Sequence, residues 1–199
     1  MLARDIAKNA RDVSMFLIVN SHFKGKSFTR LMTGIDLVIS TCYYLANPPP
    51  PQIDWWTDKS RKNYEEKMEC LQDHYSKFKA DDMKINAEST LTENTADVGG
   101  LTLARMAYQG THIYQMEKKS QLPGLENYNA DQLFYISFGQ LWCEKHTDQS
   151  LKMQIRYDEH APGEVRVSGT VSLIHDFAKT FNCPRGSPMY PEEQCLRKQ

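Results

Sequence analysis

Glu93 and Asp97 stand four residues apart in the run Glu93-Asn94-Thr95-Ala96-Asp97-Val98-Gly99-Gly100. Residues at that spacing share one face of an α-helix, and the face continues through Leu101, Ala104 and Tyr108. The two carboxylates are therefore expected on a stripe whose apolar members face the core. Like charges at this separation repel, and a buried carboxylate is costly unless a cation meets it. A metal ion bound by Glu93, with a histidine oriented by Asp97, would satisfy both groups. The competing reading is an acidic first helical turn favoured by the helix dipole. Residue types alone leave both readings open.

Glu93-Asn94-x-x-Asp97-x-Gly99-Gly100 resembles the third-ligand helix of the neprilysin and endothelin-converting enzyme family of zinc metallopeptidases. Further matches follow in family order. They are Asp54-Trp55-Trp56-Thr57, Leu122-Pro123-Gly124-Leu125, Gln140-Leu141-Trp142-Cys143, Asp158-Glu159-His160-Ala161-Pro162-Gly163 with Arg166, and Met189-Tyr190-Pro191 before Cys195. The resemblance covers about residues 53–196. Val98, Thr92 and the end after Cys195 depart from the family pattern in detail.

The resemblance implies a role for each matched residue. Glu93 becomes a zinc ligand, and Asp97 the carboxylate that orients a ligand histidine. His160 becomes the donor that stabilises the oxyanion of a tetrahedral intermediate. Arg166 becomes the arginine that binds a substrate carbonyl and braces the site. Leu141 and Trp142 line the pocket for the hydrophobic side chain after the scissile bond. Cys70 pairs with Cys195, and the partners of Cys143 and Cys183 belong to an N-terminal lobe of the family. Without the resemblance, His160 reads as a loop histidine, Arg166 as a surface ion pair, and Leu141 and Trp142 as helix core.

In the family, two histidines of an H-E-x-x-H helix complete the zinc site, and the same helix supplies the general base. The six histidines here are His22, His74, His112, His146, His160 and His175. No two lie four apart, and none precedes a glutamate. One glutamate cannot hold a catalytic zinc, which takes three protein ligands and an open position. Glu93 and Asp97 are thus expected to form an uncompensated acidic pair, and this chain alone is expected to be inactive. It reads as the C-terminal third of such a peptidase with a different start.

Composition is consistent with one globular domain: 199 residues, 40% hydrophobic and 25% charged. A net charge of −1 gives no nucleic-acid footprint. Residues 1–52 hold six Lys/Arg against three Asp and are expected to lie outside the resemblance as an unmatched N-terminal segment. Within them Leu37 to Tyr44 reads as a strand, and Pro48-Pro49-Pro50-Pro51 as the boundary to the body over 53–199. The apolar patch Leu31 to Ala46 is sixteen residues long and contains Asp36, short of the ~20 a membrane span needs. It is read as a buried strand or helix, and no signal peptide opens the chain. Family membership implies an extracellular or plasma-membrane-associated, disulfide-permissive setting.

The elements that must position these residues read as mostly helical. Tyr64, Met68, Leu71, Tyr75 and Phe78 predict a helix over about 58–78, with Trp55 and Trp56 wedged into the core before it. A polar loop over 81–90 precedes the Glu93 helix, expected from Thr92 to Met116. Gly99 and Gly100 inside that helix suggest a closely packed neighbouring backbone. A third helix starts near Asn129, Glu164 to Val167 reads as a short strand, and a final helix carries Val171, Ile174, Phe177, Ala178 and Phe181. The fold expected is mainly α, with at most short strands: the C-terminal helical subdomain of a zincin-type (thermolysin-like) metallopeptidase. Two functions are carried forward. One is a catalytic-domain segment of a zinc metalloendopeptidase acting on peptides; the other is a degenerate, non-catalytic module that binds peptides or a partner chain.

Overall fold

The computed structural model describes residues 56–119 and 121–195. The expectations for Leu31–Ala46, Leu37–Tyr44, the proline run and Trp55 fall outside those residues. The described fold is mainly helical, as expected. Its order is α1 (Asp58–Tyr75), β1 (Lys79–Ala80), β2 (Met83–Lys84), α2 (Leu91–Gln109), α3 (His112–Glu117), α4 (Ala130–Leu141), α5 (Asp148–Tyr157), α6 (Gly163–Ser172) and α7 (His175–Thr180).

Thr57 opens α1 by accepting a hydrogen bond from the Ser60 backbone N–H at 3.2 Å. Trp56 is half-buried, its ring edge-on to Tyr64 at 5.2 Å. The α1 stripe buries Leu71, His74 and Tyr75. The helix stops at Tyr75, and the chain turns into an antiparallel pair, β1 with β2. Asp81 and Asp82 hold φ of 48° and 63° in that turn, where aspartate tolerates the left-handed region better than most residues.

The expected Thr92–Met116 helix is two helices. Gly110 ends α2, and Thr111 caps α3 by accepting from the Tyr114 N–H at 3.1 Å. Asn129 and Gln132 form a reciprocal capping box at the start of α4. Helix α5 has no counterpart in the sequence reading. It buries no residue fully, but Leu151 and Ile155, one turn apart on one face, pack against the core, an amphipathic signal that the sequence carried.

Residues Glu164 to Val167 are helical rather than a strand, lying in α6. Val165 and Arg166 both donate backbone hydrogen bonds to the Pro162 carbonyl, at 2.8 and 3.0 Å, so Pro162 starts a helix. The expected final helix breaks at Leu173–Ile174 into α6 and α7.

Helix α2 links two apolar clusters. Val98 packs with Leu71, Tyr75, Val165 and Leu173; Leu101, Ala104 and Tyr108 pack with Phe134, Phe138, Val171 and Phe177. Helix α6 is seated on α1 by buried polar bonds. The Tyr75 hydroxyl meets Thr170 Oγ1 at 3.0 Å, and His74 Nε2 meets the Gly169 carbonyl at 3.1 Å and Ser172 Oγ at 3.2 Å. A Cβ at Gly169 would collide with the Tyr75 ring, so only glycine allows this approach. Cys70 and Cys195 form a disulfide with Cα atoms 5.5 Å apart, tying α1 to the C-terminal tail.

Candidate functional site

Glu93 lies in the first turn of α2, and Asp97 follows one turn later on the same face. Their environments differ. The Glu93 side chain keeps 29% of its exposure, whereas that of Asp97 keeps 6%. Asp97 is not uncompensated. Arg166, from the first turn of α6, grips it with Nε at 2.6 Å from Oδ2 and Nη2 at 2.7 Å from Oδ1. This two-pronged geometry is the strongest pairing a carboxylate can find in a protein. The same Nη2 stands 3.9 Å from Glu93 Oε2. The expectation of an unmatched acidic pair does not hold, because Glu164–Val167 is helical and the first turn of that helix carries Arg166 onto Asp97. Burial pushes the Asp97 carboxyl above its ordinary pKa, and the Arg166 bonds offset part of that cost.

His160 closes the other side of Glu93. Its Nε2 is 3.3 Å from Glu93 Oε2, and its Nδ1 is 2.8 Å from Asp158 Oδ1. Asp158 Oδ1 also accepts the His160 backbone N–H at 2.8 Å. These bonds hold the Asp158 carboxyl below its ordinary pKa. Asp158 thus fixes the ring orientation of His160, a partner that the sequence reading quoted within a motif without giving it a role.

Trp142 sits at the C-terminal end of α4 and lays its ring against the Arg166 guanidinium, 3.8 Å from centroid to Cζ. Leu141, its neighbour, is 48% exposed and contributes no core packing. Of the expected site residues, Glu93, Asp97, His160, Arg166 and Trp142 converge, while Leu141 faces outward. Gly99 is exposed, and no described residue comes within 4 Å of the position a Cβ would take there. The close neighbour expected at that glycine is absent among the described residues.

Among the described residues no group of three His, Cys, Asp or Glu side chains could hold a metal ion. Glu93 is a lone ligand, already engaged by His160.

Ordered motifs on this geometry are matched by sequence comparison: the sequence model of peptidase family M13 covers residues 47–196. The chain belongs to peptidase family M13. Endothelin-converting enzyme-like 1 of Homo sapiens is 41% identical over 143 residues, covering 72% of this chain and 18% of the relative. Neprilysin-3 of Drosophila melanogaster is 42% identical over 141 residues, with 71% and 18% covered. This M13 chain therefore spans less than a fifth of these relatives' length, less than the third expected. Among solved structures, the Haemonchus galactose containing glycoprotein complex matches with a TM-score of 0.63 and 33% identity, over 69% of this chain and 23% of that one. The Mycobacterium tuberculosis zinc metalloprotease Zmp1 in its open state gives a TM-score of 0.59 at 23% identity, over 70% and 22%, a likeness of fold. No described helix is long and apolar enough to cross a membrane.

Proposed function

We propose that residues 53–199 are the C-terminal catalytic-domain segment of a neprilysin-like zinc metalloendopeptidase, which hydrolyses peptides before hydrophobic residues. The observation that carries this reading is the convergence of Glu93, Asp97, His160 and Arg166 from α2, the loop before α6, and α6 itself. Glu93 is the one zinc ligand this chain contributes, and its described residues do not hold the metal alone. His160, its Nδ1 held by Asp158, points Nε2 toward the Glu93 side, where in its imidazolium form it donates to an oxygen that becomes negative during acyl transfer. Arg166 presents planar donors to a peptide carbonyl beside it. Trp142, and by family position Leu141, offer apolar surface to the adjacent side chain. Cys143 and Cys183 are free, and pairing with an N-terminal lobe of the family is their proposed role.

The test has two arms. The 199-residue chain, dialysed against zinc-free buffer, is expected to retain no stoichiometric zinc and to cleave no peptide. Grafting residues 53–195 in place of the matching segment of an active M13 peptidase is expected to restore hydrolysis, abolished by Glu93→Gln. A folded graft that binds peptide without cleaving it would favour the degenerate binding module instead.

A further inference from the structure

Arg166 is useful only if its guanidinium is held, because a free arginine side chain must give up rotamer entropy to present one geometry. Asp97 holds one edge and Trp142 covers one face. Both contacts depend on where the first turn of α6 lies relative to the chain leaving α4. Pro162, at the start of α6, offers no side-chain cap. The first helical N–H, that of Gly163, is instead accepted by Glu144 Oε1 at 2.6 Å, from nineteen residues earlier. Glu144 follows Trp142 by two residues. Residues 142 and 144 are therefore joined to α6 at two points, ring against guanidinium and carboxylate against N–H. Between those points the chains nearly touch. A Cβ on Gly163 would lie 2.6 Å from the Trp142 carbonyl oxygen and 2.9 Å from Glu144 Oε1, so only glycine permits the junction. His146 Nε2 also lies 3.0 Å from the same Glu144 Oε1.

We propose that Glu144 is a positioning residue: by capping α6 through the Gly163 N–H, it holds Trp142 against Arg166 and so aims the guanidinium at Asp97. The assignment of a substrate carbonyl to Arg166 rests on the function proposed above; the positioning itself does not.

The Arg166 Nε–H gives a direct readout, since it is hydrogen-bonded at 2.6 Å and lies beside an indole ring. In a 1H–15N spectrum of the full chain its cross-peak is expected away from the bulk arginine position and slow to exchange. Glu144→Ala is expected to move it toward the bulk position and to speed its exchange at least tenfold. Glu144→Gln, which keeps an oxygen acceptor at the same reach, is expected to leave it in place. Gly163→Ala is expected to reproduce the loss with Glu144 intact. Should Glu144→Ala fail to fold, Glu144→Asp replaces it, one methylene too short to reach. An unchanged Arg166 signal in folded Glu144→Ala or Glu144→Asp overturns the proposal, as does its loss in folded Glu144→Gln. Failure of peptide hydrolysis in the graft with the spectral result intact would sink the function reading and leave the positioning role standing.

Discussion

Arg105 and Arg166 each bring a guanidinium to two carboxylates and to aromatic rings, yet the two centres are enclosed differently. Arg105, on α2, keeps 4% of its exposure and bonds Asp131 at 2.5 Å and Asp176 at 2.7 Å. The rings of Tyr114, Phe134 and Tyr135 surround it at 5.4 to 5.7 Å. Tyr114 also donates to Asp131 and Tyr135 to Asp176, while Tyr108 donates to Glu117. Burial alone would lower the Arg105 pKa, but its carboxylate bonds raise it above the ordinary value. The carboxylates are held by α4 and α7, so this centre clamps three helices together. Around Arg166 the inner carboxylate, Asp97, is closed off, while Glu93 and His160 stay partly open at 29% and 39% exposure. Asp131 and Asp176 keep 25% and 40% of their side-chain exposure, so the centres differ less in openness than in what is buried: a cation joining three helices at Arg105, and a carboxylate beside a histidine at Arg166.

Removing Arg105 should give the largest effect. Arg105→Met removes the buried cation that joins three helices, leaving Asp131 and Asp176, at 25% and 40% side-chain exposure, with only their tyrosine partners, and is expected to cost about 3–5 kcal/mol, read from urea unfolding. A loss no greater than that of Arg166→Met would break the distinction between the centres. Next in size is the staple behind the Arg166 side. Reducing Cys70–Cys195, or replacing both cysteines with serine, is expected to cost about 2–5 kcal/mol, because the bond closes a loop of 125 positions. Peptide mapping without reductant should recover that pair and leave Cys143 and Cys183 alkylatable.

A pH effect sharpens the comparison. Burial depresses the His74 pKa from 6.5 to about 4, with the Gly169 carbonyl bond working against it. The unfolded chain takes up this proton near pH 6.5, and the folded chain only near 4. Stability is therefore fully present above about 6.5 and falls as pH drops toward 4, by about 3 kcal/mol. His74→Gln should flatten that decline, measured as urea midpoints at pH 7 and 4.5. The smallest change is expected at the open rim. Glu93→Gln should alter stability by under about 0.5 kcal/mol, since its contacts are half-solvated. A loss above 2 kcal/mol would place Glu93 with the buried Asp97.

The comparison also shows what residue order could reveal. Asp97 and Glu93 were legible because their spacing coincides with an apolar stripe and with a family motif. Arg105 lies on the same helix between Ala104 and Tyr108, and a cation inside an apolar stripe was the available signal. It was missed because its partners are 26 and 71 residues away. Glu144 gave no signal at all: its partner is a backbone N–H on a helix that the sequence reading took for a strand.

By itself the sequence determined the family, the mainly helical fold, the start of α4 near Asn129 and, through the family resemblance, the Cys70–Cys195 pair and the residues assembled around Glu93. Each is written in local periodicity, in capping residues or in motif order, which act over short stretches of chain or through ancestry. Only the tertiary structure decided that α2 stops at Gly110, that α6 is a helix, and that Arg166 rather than a histidine meets Asp97. Those outcomes depend on which distant groups arrive beside a buried charge or an open helix end. A carboxylate in an apolar interior takes whichever cation the fold delivers, and the 69-residue separation of Asp97 and Arg166 carries no record of that meeting.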